Sequence, residues 1–417
     1  MDVGVPNRGR RPIDRARVRA GGGWMNAVAP LWHRMLDRID RGLAAGAIEA
    51  TLPDGTARLL GGRADGPVAV VDVRRWRALW RLAAGGSAGW YEAWAAGDWA
   101  SPDPVPLFDL FMRNRVSLGQ VARASAFSKQ VRLLRHWLRR NTPARARANV
   151  AYHYDLGNDF YRPWLDDGMT YSSARFPESG MSLEAAQHVK LTELLARTAT
   201  AAGDTILEIG CGWGSFARVA ADAGVAVHGI TLSTEQRAYA AARLTDAPPG
   251  TRVTITDYRD VVGTYDAVVS CEMVEAVGRE YWGDYLRTIA RVLKPGGRAA
   301  LQLITIDDAI FESYSNNVDF IQAYVFPGGM LLSERAFRAE AARAGLHWQE
   351  RVAFGEDYAE TLRRWRERFD AAVAQHRLPW EFDREFINLW RYYLMYCEGG
   401  FRGGGIDVLQ VTLIKGE

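Results

Sequence analysis

Thr205-Ile-Leu-Glu-Ile-Gly-Cys-Gly-Trp-Gly214 is the stretch on which the fold turns. Thr205 to Ile209 reads as a buried strand, three glycines at alternate positions follow it, and Ser215 to Ala223 reads as a helix. Glycine is required between such a strand and helix because the backbone turns sharply and a ligand must come closer than any side chain permits. A dinucleotide site is the first rival. The spacing here is G-x-G-x-G, not G-x-G-x-x-G, and Glu208 stands before the first glycine, placed to hold the methionine ammonium of S-adenosylmethionine. A dinucleotide site also wants an acid about 20 residues on, whereas the next strand ends Gly229-Ile-Thr-Leu-Ser233 with no acid at its tip.

Working outward, strands are expected at Val225 to Ile230, Arg252 to Thr256, Tyr265 to Ser270, Arg298 to Ile304 and Ile406 to Ile414. Helices are expected at Thr234 to Leu244 and Tyr281 to Leu293, with a turn at Lys294-Pro-Gly-Gly297. Strands alternating with helices imply a parallel sheet covered on both faces. The expected fold is therefore α/β: a doubly wound, Rossmann-like class I methyltransferase sheet with a smaller N-terminal domain. Asp257, after the third strand, is placed to meet the adenine amino group.

A chain of 417 residues exceeds the usual reach of one core, so two domains are expected. Residues 1–23, with Arg8, Arg10, Arg11, Arg15, Arg17 and Arg19, read as a flexible basic tail. Residues 24–127 read as a small mixed domain. Within it Leu31, Met35, Ile39 and Leu43 form a helical stripe, Val68 to Val73 a strand, and Leu79 to Trp99 carries five tryptophans and tyrosines. Residues 128–150 are a basic connector interrupted at Asn141-Thr-Pro143, and residues 151–417 the catalytic domain. Basic clusters attract anionic lipid surfaces. Cys211, Cys271 and Cys397 follow no metal-ligand spacing, so reduced thiols in a cytoplasmic protein are expected, with no metal and no nucleic-acid partner. No run of about 18 apolar residues is present and the N-terminus lacks an apolar signal core, so the expectation is a protein peripheral to the inner face of a membrane.

Eight segments narrow the substrate: Tyr152-His-Tyr-Asp-Leu-Gly-Asn-Asp-Phe160, Met169-Thr-Tyr-Ser-Ser-Ala174, the glycine loop, Gly229-Ile-Thr-Leu-Ser-Thr-Glu-Gln236, Asp257-Tyr-Arg-Asp260, Cys271-Glu-Met-Val-Glu-Ala-Val-Gly278, Tyr324-Val-Phe-Pro-Gly-Gly329 and Tyr396-Cys-Glu-Gly-Gly-Phe401. In that order they resemble the cyclopropane-fatty-acyl-phospholipid synthase family, which includes the mycolic acid cyclopropane synthases. The resemblance implies cofactor contacts from Tyr171, Ser172, Glu208, Gly210, Gly212, Trp213, Gly214, Thr231, Leu232, Ser233, Gln236, Asp257, Tyr258 and Arg259. It also implies methyl transfer to the double bond of an unsaturated phospholipid acyl chain, a homodimer, and an N-terminal domain that reaches the bilayer.

The chemistry asks for such a site. Attack of an alkene on a sulfonium methyl leaves positive charge on carbon, so the site must be dry and lined by aromatic faces. A base must then take a proton. The resemblance implies that this base is a bicarbonate ion held by Glu275, Gln302, Ile304 and Tyr358, with Ser173 and Cys397 nearby. Ser173 stands where many members have cysteine, and Gln302 and Ala276 where many have histidine. Ring closure to a cyclopropane is the leading expectation; a methylene- or methyl-branched chain is the alternative. Blander readings stand beside these: Glu275 as a helix cap, Cys397 as a small buried hydrophobe, His153 as a structural residue, and Tyr392, Tyr393 and Tyr396 as core. Thr305 to Leu332 is long for a connection and reads as a wall of the acyl cavity. A small-molecule N-methyltransferase and an inactive lipid-binding protein are the remaining rivals.

Overall fold

The computed structural model describes residues 29–119 and 156–416. The basic tail, the whole of the basic connector, and His153 with its neighbours Tyr152 to Asp155 lie outside the described residues.

The N-terminal unit opens with α1 (Ala29–Gly42), which buries Trp32, Leu36 and Ile39, followed by the buried Leu43. This face advances by four, three and four residues, as a 3.6-residue period requires. The strict four-residue stripe drifts off it, and Leu31 is 57% exposed. Behind α1 lies a sheet of β1 (Ala47–Thr51), β2 (Ala57–Gly61), β3 (Val68–Val73) and the short β4 (Trp99–Ala100), in the order β2-β1-β3-β4. β3 alternates, with Ala69, Val71 and Val73 buried and Val68 and Val70 outward. The tryptophan-rich segment is α2 (Arg77–Ala95), broken at Gly86 where φ is 57°. α3 (Val105–Arg113) completes the unit.

After α4 (Asn158–Tyr161) and α5 (Leu183–Ala196), the predicted alternation appears. It runs β5 (Thr205–Ile209), α6 (Ser215–Asp222), β6 (Ala226–Thr231), α7 (Thr234–Arg243), β7 (Arg252–Ile255), β8 (Tyr265–Cys271), α8 (Trp282–Val292) and β9 (Leu293–Ile306). Then come α9 (Asp308–Ser315), α10 (Glu334–Arg343), β10 (Leu346–Ala353), α11 (Gly355–Ala374), α12 (Arg384–Arg402) and β11 (Ile406–Lys415). The sheet order is β10-β11-β9-β8-β5-β6-β7, and β5 to β9 pair in parallel. The all-parallel expectation fails at one side, where β11 runs antiparallel to both β9 and β10. β10 escaped the sequence reading because it is an edge strand: only Leu346 is buried, so His347-Trp-Gln-Glu-Arg351 shows no apolar run.

One hydrophobic core runs through both units, and two further clusters pack within the C-terminal one. Tyr91 packs on Phe320, Tyr324 and Tyr392, and Phe108 on Tyr392 and Tyr396, at centroid distances of 4.8–5.3 Å. The backbones also meet closely. A Cβ on Gly399 of α12 would lie 2.4 Å from Cβ of Phe108, and one on Gly403 would lie 2.6 Å from the Asp109 carbonyl. The C-terminal glycines are thus a seat for α3.

Candidate active site

Two cavities meet at the carboxyl ends of the central strands, where ligands of open α/β sheets bind. The smaller, about 200 Å³, is built around the glycine loop between β5 and α6. Gly210 has φ 81°, and a Cβ there would stand 2.8 Å from Met273. Of the fourteen residues expected to hold S-adenosylmethionine, twelve line this cavity, from Tyr171 and Ser172 to Asp257, Tyr258 and Arg259. Gly214 and Ser233 do not line it. Gly214 lets α6 pack against Ala240, where a Cβ would come within 3.0 Å, and the Ser233 hydroxyl caps α7 by accepting from Gln236 N.

Glu208 lies at the floor, 4% exposed, and its Oε2 has no hydrogen-bond partner. Burial pushes its carboxyl up to about 8, and the Lys190 ammonium pulls the other way. An orphaned buried acceptor fits a cationic ligand group, as the methionine ammonium is. Asp257 lines the cavity and is oriented there by Arg259. Its Oδ1 accepts from Arg259 N and Nε, and its Oδ2 from Arg259 Nη2 at 2.6 Å, so Arg259 already engages both oxygens.

Lys190 was missed by the sequence reading. It is fully buried on α5 and donates to Ser172 Oγ at 2.6 Å, orienting one wall of the cavity. Its signal was readable: Leu183, Ala186, Gln187, Lys190, Leu191 and Leu194 form the buried stripe of α5, and a lysine on such a stripe needs a reason.

The larger cavity, about 480 Å³, is mainly apolar and shares Tyr171, Glu272 and Ala276 with the smaller one. Tyr358, Tyr393, Tyr396 and Cys397 line it, while Tyr392 is core, as the blander reading had it. The segment after β9 contributes Ile310, Tyr314, Ile321 and Phe326, confirming Thr305 to Leu332 as cavity wall. Within it Asp319, facing the cavity, is raised by burial to about 6.

The junction holds the second residue that was missed. Glu272 ends β8 in the left-handed region, φ 50°, a conformation costly for a residue with a side chain and concentrated at functional sites. Its Oε1 accepts from Ser173 N at 2.9 Å and Gln302 Nε2 at 2.8 Å, and its Oε2 from the Tyr358 hydroxyl at 2.8 Å. These are groups nominated to hold a bicarbonate ion, and here they hold a carboxylate of the chain itself. The Ser173 hydroxyl donates elsewhere, to the Ala174 carbonyl. Gln302 is fixed from behind: Gln410, its partner across β9 and β11, donates to Gln302 Oε1 at 3.1 Å and accepts from Arg197 Nε at 3.0 Å. Glu275 Oε1 accepts from Ile304 N, its Oε2 has no partner, and burial with the nearby Glu272 charge pushes its carboxyl to about 8. Among the described residues there is no cluster able to hold a metal ion, and no helix is long and apolar enough to cross a membrane.

Residues 141–411 match the sequence profile of the family described as mycolic acid cyclopropane synthetase. The chain belongs to that family. This member is 36% identical over 414 residues to a tuberculostearic acid methyltransferase, UfaA1, of Mycobacterium tuberculosis, covering 93% of this chain and 92% of that one. It is 36% identical over 268 residues to the cyclopropane-fatty-acyl-phospholipid synthase of Escherichia coli, covering 63% of this chain and 67% of that one. Among solved structures, the mycolic acid cyclopropane synthase CmaA1 complexed with SAH and CTAB superposes with a TM-score of 0.61 at 30% identity, over 64% of this chain and 98% of that one. The family member described here is a class I, S-adenosylmethionine-dependent C-methyltransferase acting on lipid alkenes.

Proposed function

We propose that this enzyme methylates the double bond of an unsaturated phospholipid acyl chain to a methylene- or methyl-branched product, with Glu272 as the base. The observation that carries this reading is the Glu272 carboxylate, seated at the junction of the two cavities by Ser173, Gln302 and Tyr358.

S-Adenosylmethionine, when bound, supplies an electrophilic methyl group. Glu208 holds its cationic end, and Tyr171 and Ala276 border the opening toward the acyl chain. As the C–S bond breaks, its electron pair stays on sulfur and the alkene pair forms the new C–C bond, leaving a carbocation on the neighbouring carbon. The faces of Tyr171, Tyr358 and Tyr393 and the negative charge of Glu272 stabilise that cation. The apolar walls exclude water that would quench it. Glu272 then accepts one proton, and the released C–H pair rebuilds a double bond. The proton leaves the methylated carbon directly or, after a hydride shift, the new methyl group. Direct loss from the methyl group with ring closure would instead give a cyclopropane.

The branched outcome is favoured because a relative that aligns over nearly the whole chain is named a tuberculostearic acid methyltransferase, whereas the cyclopropane synthase of Escherichia coli aligns over 63% of it. The departures at Ser173, Gln302 and Ala276 agree with that. Bilayer contact is supported by Leu59, Val68 and Val70, all exposed on the outer face of β2 and β3.

The test uses deuteriomethyl-labelled S-adenosylmethionine and vesicles of monounsaturated phospholipid, with products read by mass spectrometry and NMR. One added carbon with olefinic signals supports the branched product; high-field cyclopropane signals overturn it while leaving alkene methylation standing. Glu272→Gln is expected to lower turnover by about 10²–10⁴-fold with retained SAH binding, the usual worth of a general base. Unchanged turnover in that variant, or restoration of its activity by added bicarbonate, would remove Glu272 from the role.

A further inference from the structure

The larger cavity does not end inside the catalytic unit. Leu82, Gly85, Gly86 and Ser87 of α2 and Phe111 of α3 also line it, continuous with Glu272 and Glu275. The break of α2 is what opens this wall: Gly86 leaves the helix with φ 57° and ψ −142°, a conformation open essentially to glycine. The wall is also held firmly. Phe320 N donates to Ser87 Oγ at 3.0 Å, Arg115 pairs with Asp307 at 2.5 Å, and α3 sits on the glycines of α12 without room for a Cβ.

We infer that the N-terminal unit is a gauge for the acyl chain: α2 and α3 bound the arm that extends from the reacting double bond, so they set which chain length and double-bond position reach the methyl group. The inference rests on the acyl substrate proposed above and adds the residues that measure it. A rigid wall can select position because each buried methylene is worth about four-fold in affinity, and a methylene with no room loses it. Leu82→Trp shortens the cavity at α2, and Phe111→Ala lengthens it at α3. Neither residue lines the cofactor cavity.

The experiment measures binding of two ladders of free cis-monounsaturated fatty acids to the full-length protein. One ladder grows by single methylenes on the methyl side of the double bond, the other on the carboxyl side. In the wild type, affinity is expected to climb about four-fold per methylene and then level off. In Leu82→Trp the plateau comes at a shorter chain and in Phe111→Ala at a longer one, in one ladder, with SAH affinity unchanged. That ladder identifies the arm. Plateaus at the same lengths in all three proteins overturn the gauge. Should Leu82→Trp fail to fold, Phe111→Ala alone decides. Because the readout is binding, shifted plateaus with no methylated lipid would sink the proposed reaction and leave the gauge standing; methylated lipid with unshifted plateaus would do the reverse.

Discussion

Two carboxyls at the centre of this site, Glu208 and Glu272, are pushed above the ordinary range by burial, and the nearby Lys190 pulls each the other way. Glu208 is held at about 8 by burial, so below that pH it enters the cofactor complex protonated. A ligand ammonium favours the ionised form, so binding must expel a proton. The affinity for SAH is therefore expected to rise as pH increases from 6 toward 8 and to level off above it. Calorimetry in buffers of different ionisation enthalpy checks this, and Glu208→Gln should bind weakly with no such dependence. Stability has the opposite slope. The Glu275 carboxyl, about 8 in the folded chain against an ordinary 4.5, holds its proton where the unfolded chain has lost it. Its contribution is complete below pH 4.5, falls between 4.5 and 8, and is gone above. Glu275→Gln should flatten the decline of Tm across that window; an unaltered decline would mean that other groups produce it.

At the scale of elements, the sequence reading found the strands that place the cofactor because each is short, apolar and punctuated by glycine. It located the glycine loop and Glu208 from spacing alone. It named Glu275 from the resemblance and passed over Glu272 in the same motif, because only the left-handed turn after β8 shows that this second carboxyl reaches Ser173, Gln302 and Tyr358. Gln410 was invisible for a related reason: its meaning arises from β11 meeting β9 and α5, contacts between residues far apart in the chain, whereas Lys190 was legible on the apolar stripe of α5 and passed over. The glycines after Cys397 were quoted as a motif without a physical account, and the seat for α3 supplies one. Gly399→Ala is a clean probe of it. Helix propensity alone would gain about 1 kcal/mol, but the new Cβ would meet Phe108 at 2.4 Å. Overpacking costs about 1–3 kcal/mol, so a net loss in chemical denaturation is expected. A net gain would show that α3 yields freely.

For the whole molecule, the shared core makes the N-terminal unit part of the catalytic fold and not an appendage to it. A chain beginning at residue 120 would leave Phe320, Tyr392 and Tyr396 without the partners they have in Tyr91, Trp94 and Phe108. Such a truncation is expected to bind a hydrophobic dye and lose cooperative unfolding; a stable, dye-free fragment would contradict the core shared by the two units. The two cavities, joined only where Tyr171, Glu272 and Ala276 line both, carry a last consequence. Each of the two substrates has its own door. A water-soluble donor can be exchanged in one cavity while the acyl chain stays seated in the other. With the bilayer contact proposed above, that arrangement is expected to give processive turnover, many chains being methylated in each residence at the membrane.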